Sequence, residues 1–158
     1  MIDDFLYADE AAFELNWTSR TNASNLADPS PRLQLDDVND TMVLTAADPA
    51  NGGWDLARRY STLTALGVTN GYKYLAMYVT NNTNRTDKTA IWLYWSGGQF
   101  GYYITLPAIG TSGWIYVALT YQASLITDFA VGFDNFAANA VVGSLVVHKI
   151  VATQTIPA

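Results

Sequence analysis

Between residues 72 and 153 the hydrophobic positions recur at every second residue, with only short breaks. Leu75, Met77 and Val79 alternate with Tyr74, Tyr78 and Thr80, and Ile115, Val117 and Leu119 alternate with Tyr116, Ala118 and Thr120. Phe129, Val131 and Phe133 alternate in the same way with Ala130, Gly132 and Asp134. A period of two is that of a strand with one buried face. The pattern predicts strands over 32–38, 41–47, 54–61, 72–81, 88–95, 100–106, 113–121, 128–136 and 142–153. Turn-forming stretches separate them: residues 48–53, Asn70-Gly71, the polar run 81–87 and Gly97-Gly98. One short helix is expected before them. Asp9 suits its cap and Glu10 its first turn, with Phe13 and Trp17 four apart on one face. The Asn-, Ser- and Pro-rich stretch 18–31 reads as loop. Short strands at this spacing predict an all-β sandwich or barrel, and the absence of repeat or linker predicts one domain over 1–158.

The stretch 91–106 carries six aromatic residues around a double glycine. With Gly97-Gly98 as a two-residue turn, Ile91, Leu93 and Trp95 would face Ile104, Tyr102 and Phe100 on the core side. The other side then pairs Trp92 with Tyr103 and Tyr94 with Gly101. Aromatic rings beside small residues suit a stacking platform, although loops or a second sheet could equally cover them. If the neighbouring strands share this sheet, its outer face gains Tyr78, Tyr116 and Asp134. In the strand over 54–61, Arg58 shares parity with Trp54, Leu56 and Tyr60, which places Arg59 on the ligand side in the simplest reading.

Composition narrows the partners. Half of the chain is apolar and only 14% is charged, so it is globular, with ten Tyr and five Trp and no Cys. The net charge of −6 argues against nucleic acid and anionic membrane surfaces. No apolar run approaches a membrane span, and the opening Met1-Ile2-Asp3-Asp4-Phe5 has neither a basic nor an apolar leader region. Asn-x-Ser/Thr triplets at Asn16, Asn22, Asn39, Asn81 and Asn84 are expected by chance in so Asn- and Thr-rich a chain. Catalysis is poorly provided for. His148 is the only histidine and lies in an apolar strand, and beyond Tyr60 the only carboxylates are Asp87, Asp128 and Asp134. Asp3, Asp4, Asp9 and Glu10 could offer oxygen ligands to Ca²⁺, but capping and a solvated face explain them as well.

The order of features resembles a family. Ile2-Asp3-Asp4-Phe5, Tyr7-Ala8-Asp9 and a short helix ending in Trp17 look like the opening of carbohydrate-binding modules with a galactose-binding-like jelly-roll fold. Residues 71–79 resemble the middle strand of those modules, and Gly113-Trp114-Ile115-Tyr116-Val117 resembles their Gly-Trp-x-x-Val strand. The resemblance implies a jelly-roll β-sandwich of two antiparallel sheets with one short N-terminal helix. It also implies non-catalytic glycan binding along one concave sheet and a structural Ca²⁺ near the chain ends, here at Asp3 and Asp4. This sequence departs at the ion: His148-Lys149 stands where the family commonly has Asp-Asp. A lysine cannot ligate Ca²⁺, so the ion is expected to be lost or weakened, with Lys149 neutralising the N-terminal acids instead.

These readings give an expected site of Trp92, Tyr94, Tyr103, Tyr78 and Tyr116, with Asp134 and Arg59 as polar contacts, no catalytic residue and no other cofactor. The expected partners are an oligo- or polysaccharide and a parent protein carrying the module. That parent would be a secreted glycan-active enzyme or a phage tail or adhesion protein, outside the cell or on a virion. A structural or protein-interaction sandwich is the competing expectation, with those aromatics buried against another chain. A small glycan lyase or hydrolase ranks below both.

Overall fold

Consecutive strands mostly change sheets. A computed structural model describes residues 1–21, 33–46, 54–135 and 141–158. The first sheet contains β1 (Trp17–Thr21), β4 (Trp54–Arg59), β6 (Thr89–Trp95), β7 (Gly98–Ile104) and β9 (Ile126–Asp134), in the order β1-β4-β9-β6-β7. The second contains β2 (Leu33–Asp36), β3 (Thr41–Thr45), β5 (Tyr74–Thr83), β8 (Ser112–Ala118) and β10 (Gly143–Thr153), in the order β2-β3-β10-β5-β8. All the pairings are antiparallel, and the chain is a jelly-roll β-sandwich. Helix α1 (Glu10–Glu14) is capped by the Asp9 carboxylate, which accepts from the Ala12 amide at 2.8 Å.

Alternation builds the core. Leu75, Met77 and Val79 of β5, with Leu145, Val147 and Ile150 of β10, face Ile91 and Leu93 of β6 and Phe129, Val131 and Phe133 of β9. Trp17 closes one end, fully buried, its ring edge-on to Phe129 at 5.8 Å. Its indole N–H donates to Asp3 Oδ2 at 2.8 Å. Burying so many large side chains, each worth about 1.5–3 kcal/mol, is what holds the two sheets together.

Three sequence expectations change. First, Trp17–Thr21 is an edge strand, not the end of the helix or the start of a loop. Four of its five residues are polar, so an edge strand of this kind gives no alternating signal. Second, the loop of the opening hairpin is Ser96-Gly97: Trp95 pairs with Gly98, Leu93 with Phe100 and Ile91 with Tyr102. The pairing slips by two residues relative to expectation, which preserves side-chain parity, where a slip of one would have inverted it; Phe100, expected on the core side, is nevertheless exposed on the edge strand β7. Third, β4 faces the other way. Asp55, Ala57 and Arg59 point inward and are buried, while Trp54, Leu56 and Arg58 point outward. The inward polar groups are held: Asn135 Nδ2 donates to Asp55 Oδ2 at 2.9 Å, and Arg59 Nη1 donates to the Tyr7 hydroxyl at 3.3 Å. Most of the expected loop (22–31, including Asn22), the turn 48–53 and the strand ends Arg32, Ala47 and Phe136 lie outside the described residues.

Candidate functional site

The outer face of the first sheet gathers chemistry from four neighbouring strands. Reading across β4, β9, β6 and β7, Leu56 meets Gly132, Ala90 and Tyr103, and Arg58 meets Ala130, Trp92 and Gly101. Trp54 stands opposite Asp134, and Asp128, Tyr94 and Gln99 lie together at the other end. Small residues therefore form the middle of the face. The large rings lean over them: Trp54 meets Trp92 edge-on at 4.7 Å and lies 6.1 Å from Tyr103. Gly101 makes the Trp92 orientation possible, because a Cβ there would fall 2.5 Å from the indole Nε1. Ala90, Ala130, Trp92 and Tyr94, flanked by Trp54 and Leu56, make a second small apolar cluster outside the main core.

Polar groups flank this cluster at both ends. At one end the Arg58 guanidinium donates to Asp128 Oδ1 through Nε and Nη2, at 2.8 and 2.7 Å. It also lies 3.7 Å above the Tyr94 ring and 4.6 Å above Tyr60. That arrangement fixes Arg58 rather than leaving it free to reach out. At the other end the Tyr103 hydroxyl donates to Asp134 Oδ2 at 2.5 Å. Asp134 is only 8% exposed, and its second oxygen, Oδ1, is buried without a hydrogen-bond partner among the described residues. Partial desolvation of the hydroxyl, on a residue whose ring is otherwise exposed, then the hydrogen bond and charge of Asp134, push the Tyr103 phenol up to about 12, so it remains a donor throughout the ordinary pH range.

Of the expected residues, the structure brings Trp92, Tyr94, Tyr103 and Asp134 onto one face. It buries Trp92 and Tyr94, at 7% and 6% exposure, so they form a floor; Tyr103 is exposed and Trp54 half-buried. Tyr78 and Tyr116 belong to the second sheet and point outward on the opposite side of the sandwich. Parity had placed them correctly outward, but parity says nothing about which sheet a strand joins. Arg59 faces the interior, with its guanidinium 5.9 Å from the Trp17 ring, and Arg58 occupies the outer face instead. Leu56 misled the reading of β4, because it packs against the outer cluster rather than the core. Trp54 and Arg58 are the residues that sequence reasoning missed. Their shared parity, opposite a strand reading Ala130-x-Gly132, was the available signal.

The residues that the resemblance would assign to calcium do not fit the ion. Asp3 Oδ2 accepts from Tyr7 and Trp17 at 2.7 and 2.8 Å, and Oδ1 accepts from the Phe5 amide at 3.0 Å. Asp4 is exposed, and among the described residues no group of three or more His, Cys, Asp or Glu could hold a metal ion. Nor does Lys149 neutralise these acids: its ammonium lies 5.3 Å from the Trp114 ring and 5.8 Å from Tyr78, on the outer face of the second sheet.

No family profile and no curated protein matches the sequence. Solved structures do match the fold. The family 11 carbohydrate-binding module of a cellulosomal cellulase of Clostridium thermocellum superposes with a TM-score of 0.56 at 13% identity, covering 100% of this chain and 95% of that one. A variant of a family 29 carbohydrate-binding module, complexed with cellulohexaose, gives 0.50 at 12% identity over 89% and 93%. An arabinose-bound α-L-arabinofuranosidase gives 0.53 at 14% identity, covering 95% of this chain but 25% of that one. At these identities the likeness establishes the sandwich fold.

Proposed function

We propose that this protein is a non-catalytic carbohydrate-binding module whose ligand lies on the outer face of the first sheet. The observation that carries this reading is Asp134. A buried carboxylate oxygen without a donor is costly, on the order of 1–3 kcal/mol; Oδ1 is closed to solvent, so a sugar hydroxyl relieves it as the covering side chains move aside on binding. Tyr103, bonded to the other Asp134 oxygen, and Trp54, opposite Asp134 on the neighbouring strand, offer ring surface to the C–H face of a saccharide, as stacking on aromatics requires. Trp92 and Tyr94 hold the floor beneath. The carbohydrate-binding modules that share the fold support the same ligand class.

Hydrolysis is disfavoured by distance. Asp128 and Asp134 are six residues apart on one strand, hence about 20 Å, whereas paired glycosidase carboxylates lie within about 5–10 Å. Asp128 is moreover held by Arg58. Binding through one such face is weak per site, so the module would act tethered to a larger glycan-active enzyme or a phage tail or adhesion protein, outside the cell or on a virion.

A glycan array with the parent, Tyr103→Ala and Asp134→Asn tests this. Binding of a neutral saccharide by the parent, lost in both folded variants, is the expected result. Absence of binding by the parent, together with concentration-dependent self-association, would instead favour the interaction sandwich.

A further inference from the structure

The opposite side of the sandwich carries a second aromatic face. On the second sheet Tyr74, Tyr78, Trp114 and Tyr116 all point outward, with Tyr74 edge-on to Tyr116 at 5.8 Å and Tyr78 to Trp114 at 5.3 Å. A bulge in β10 sets its polar neighbours. The register passes from Val147 opposite Val79 to Lys149 opposite Tyr78, which leaves His148 as the extra residue. His148 Nε2 lies 2.7 Å from Thr80 Oγ1, which is itself 2.7 Å from Ser112 Oγ. Beside them the Lys149 ammonium rests near the Trp114 and Tyr78 rings and forms no ion pair among the described residues. A cleft of about 290 Å³, lined by Ile104, Thr105, Trp114, Ile115 and Tyr116, opens at the same rings between the edges of β7 and β8.

We infer that this face is a second saccharide site, selective for a sugar bearing a carboxylate. Four rings supply stacking surface, and the cleft admits a sugar-sized group at the Trp114–Tyr116 end. The Lys149 charge, held by ring faces rather than by an acid, is available to an anionic substituent. Thr80 and Ser112 supply hydroxyls nearby. In a chain of net charge −6, a lysine among aromatics with no ion pair among the described residues is the local feature that would favour an acid over a neutral sugar. The first sheet offers the reverse at its Asp134 end, Asp128 being held by Arg58. The two sites lie on opposite faces, so this inference does not depend on the reading of the first.

The test is titration of the full chain with trigalacturonate, followed through the Trp114 indole N–H resonance, with cellotetraose as neutral comparison. Trigalacturonate should shift that resonance, with affinity falling as salt rises, about tenfold lower in Lys149→Met and unchanged in Tyr103→Ala. Trp114→Ala, which lacks the reporter and is therefore followed by titration calorimetry, should abolish binding. Because Lys149→Met keeps the side-chain stem, its fold is secure even if Trp114→Ala disturbs the strand. No shift with trigalacturonate, equal affinity in Lys149→Met, equal binding of cellotetraose at Trp114, or loss of binding in Tyr103→Ala would each overturn the inference.

Discussion

The two outer faces carry similar numbers of aromatic rings and use them differently. On the first sheet the residues between the rings are small: Ala90, Ala130, Gly101 and Gly132 let Trp54, Trp92 and Tyr94 fold down and pack on one another. On the second sheet the rings stand half-exposed, Tyr116 at 39%, with Lys149 and His148 crowded beside them. An aromatic residue on an outward strand position is therefore not by that fact a binding residue. Whether its neighbours are small enough for it to lie flat decides between a second core and an open platform.

The sharpest break of this comparison is truncation. Trp92→Ala should cost about 3–5 kcal/mol, because it empties a packed cluster, whereas Tyr116→Ala should cost less than about 1 kcal/mol. Urea denaturation of the two variants measures the difference. Equal costs would mean that the first face is not a packed cluster. Gly101→Ala comes next. The new methyl meets the Trp92 indole, so the ring must rotate, and a loss of about 1–3 kcal/mol is expected with a change in Trp emission. A silent substitution would show that Trp92 does not lie over Gly101.

The fold was legible where burial imposes alternation. The inward sets of β5, β6, β8 and β9 follow from period two, and even the misplaced hairpin turn left their faces intact. Sheet membership was not legible, since the strands carrying Tyr78 and Tyr116 alternate just as those carrying Trp92 and Tyr103 do. Nor was β4, where Asp55 and Arg59 are the buried residues and Leu56 is not. Hydrogen bonds from Asn135 and to Tyr7 make that inversion tolerable, and partners so distant in sequence leave no local trace. The pairing of Tyr103 with Asp134 was within reach, because both residues had been assigned to one face.

That pairing gives the smallest predicted effect. Partial desolvation of the hydroxyl and Asp134 raise the Tyr103 phenol from its ordinary 10 to about 12 in the folded chain. The folded state thus holds this proton more tightly than the unfolded state does. The stabilisation is fully present below pH 10 and is lost as pH rises toward about 12. Tyr103→Phe should therefore remove a part of the alkaline stability loss confined to that window and leave the slope elsewhere unchanged. The ultraviolet difference titration between parent and Tyr103→Phe should show one tyrosinate with a midpoint near 12. A midpoint near 10 would mean that the hydroxyl is not held by Asp134. The neighbouring oxygen would then lose its place as the acceptor around which the first face is built.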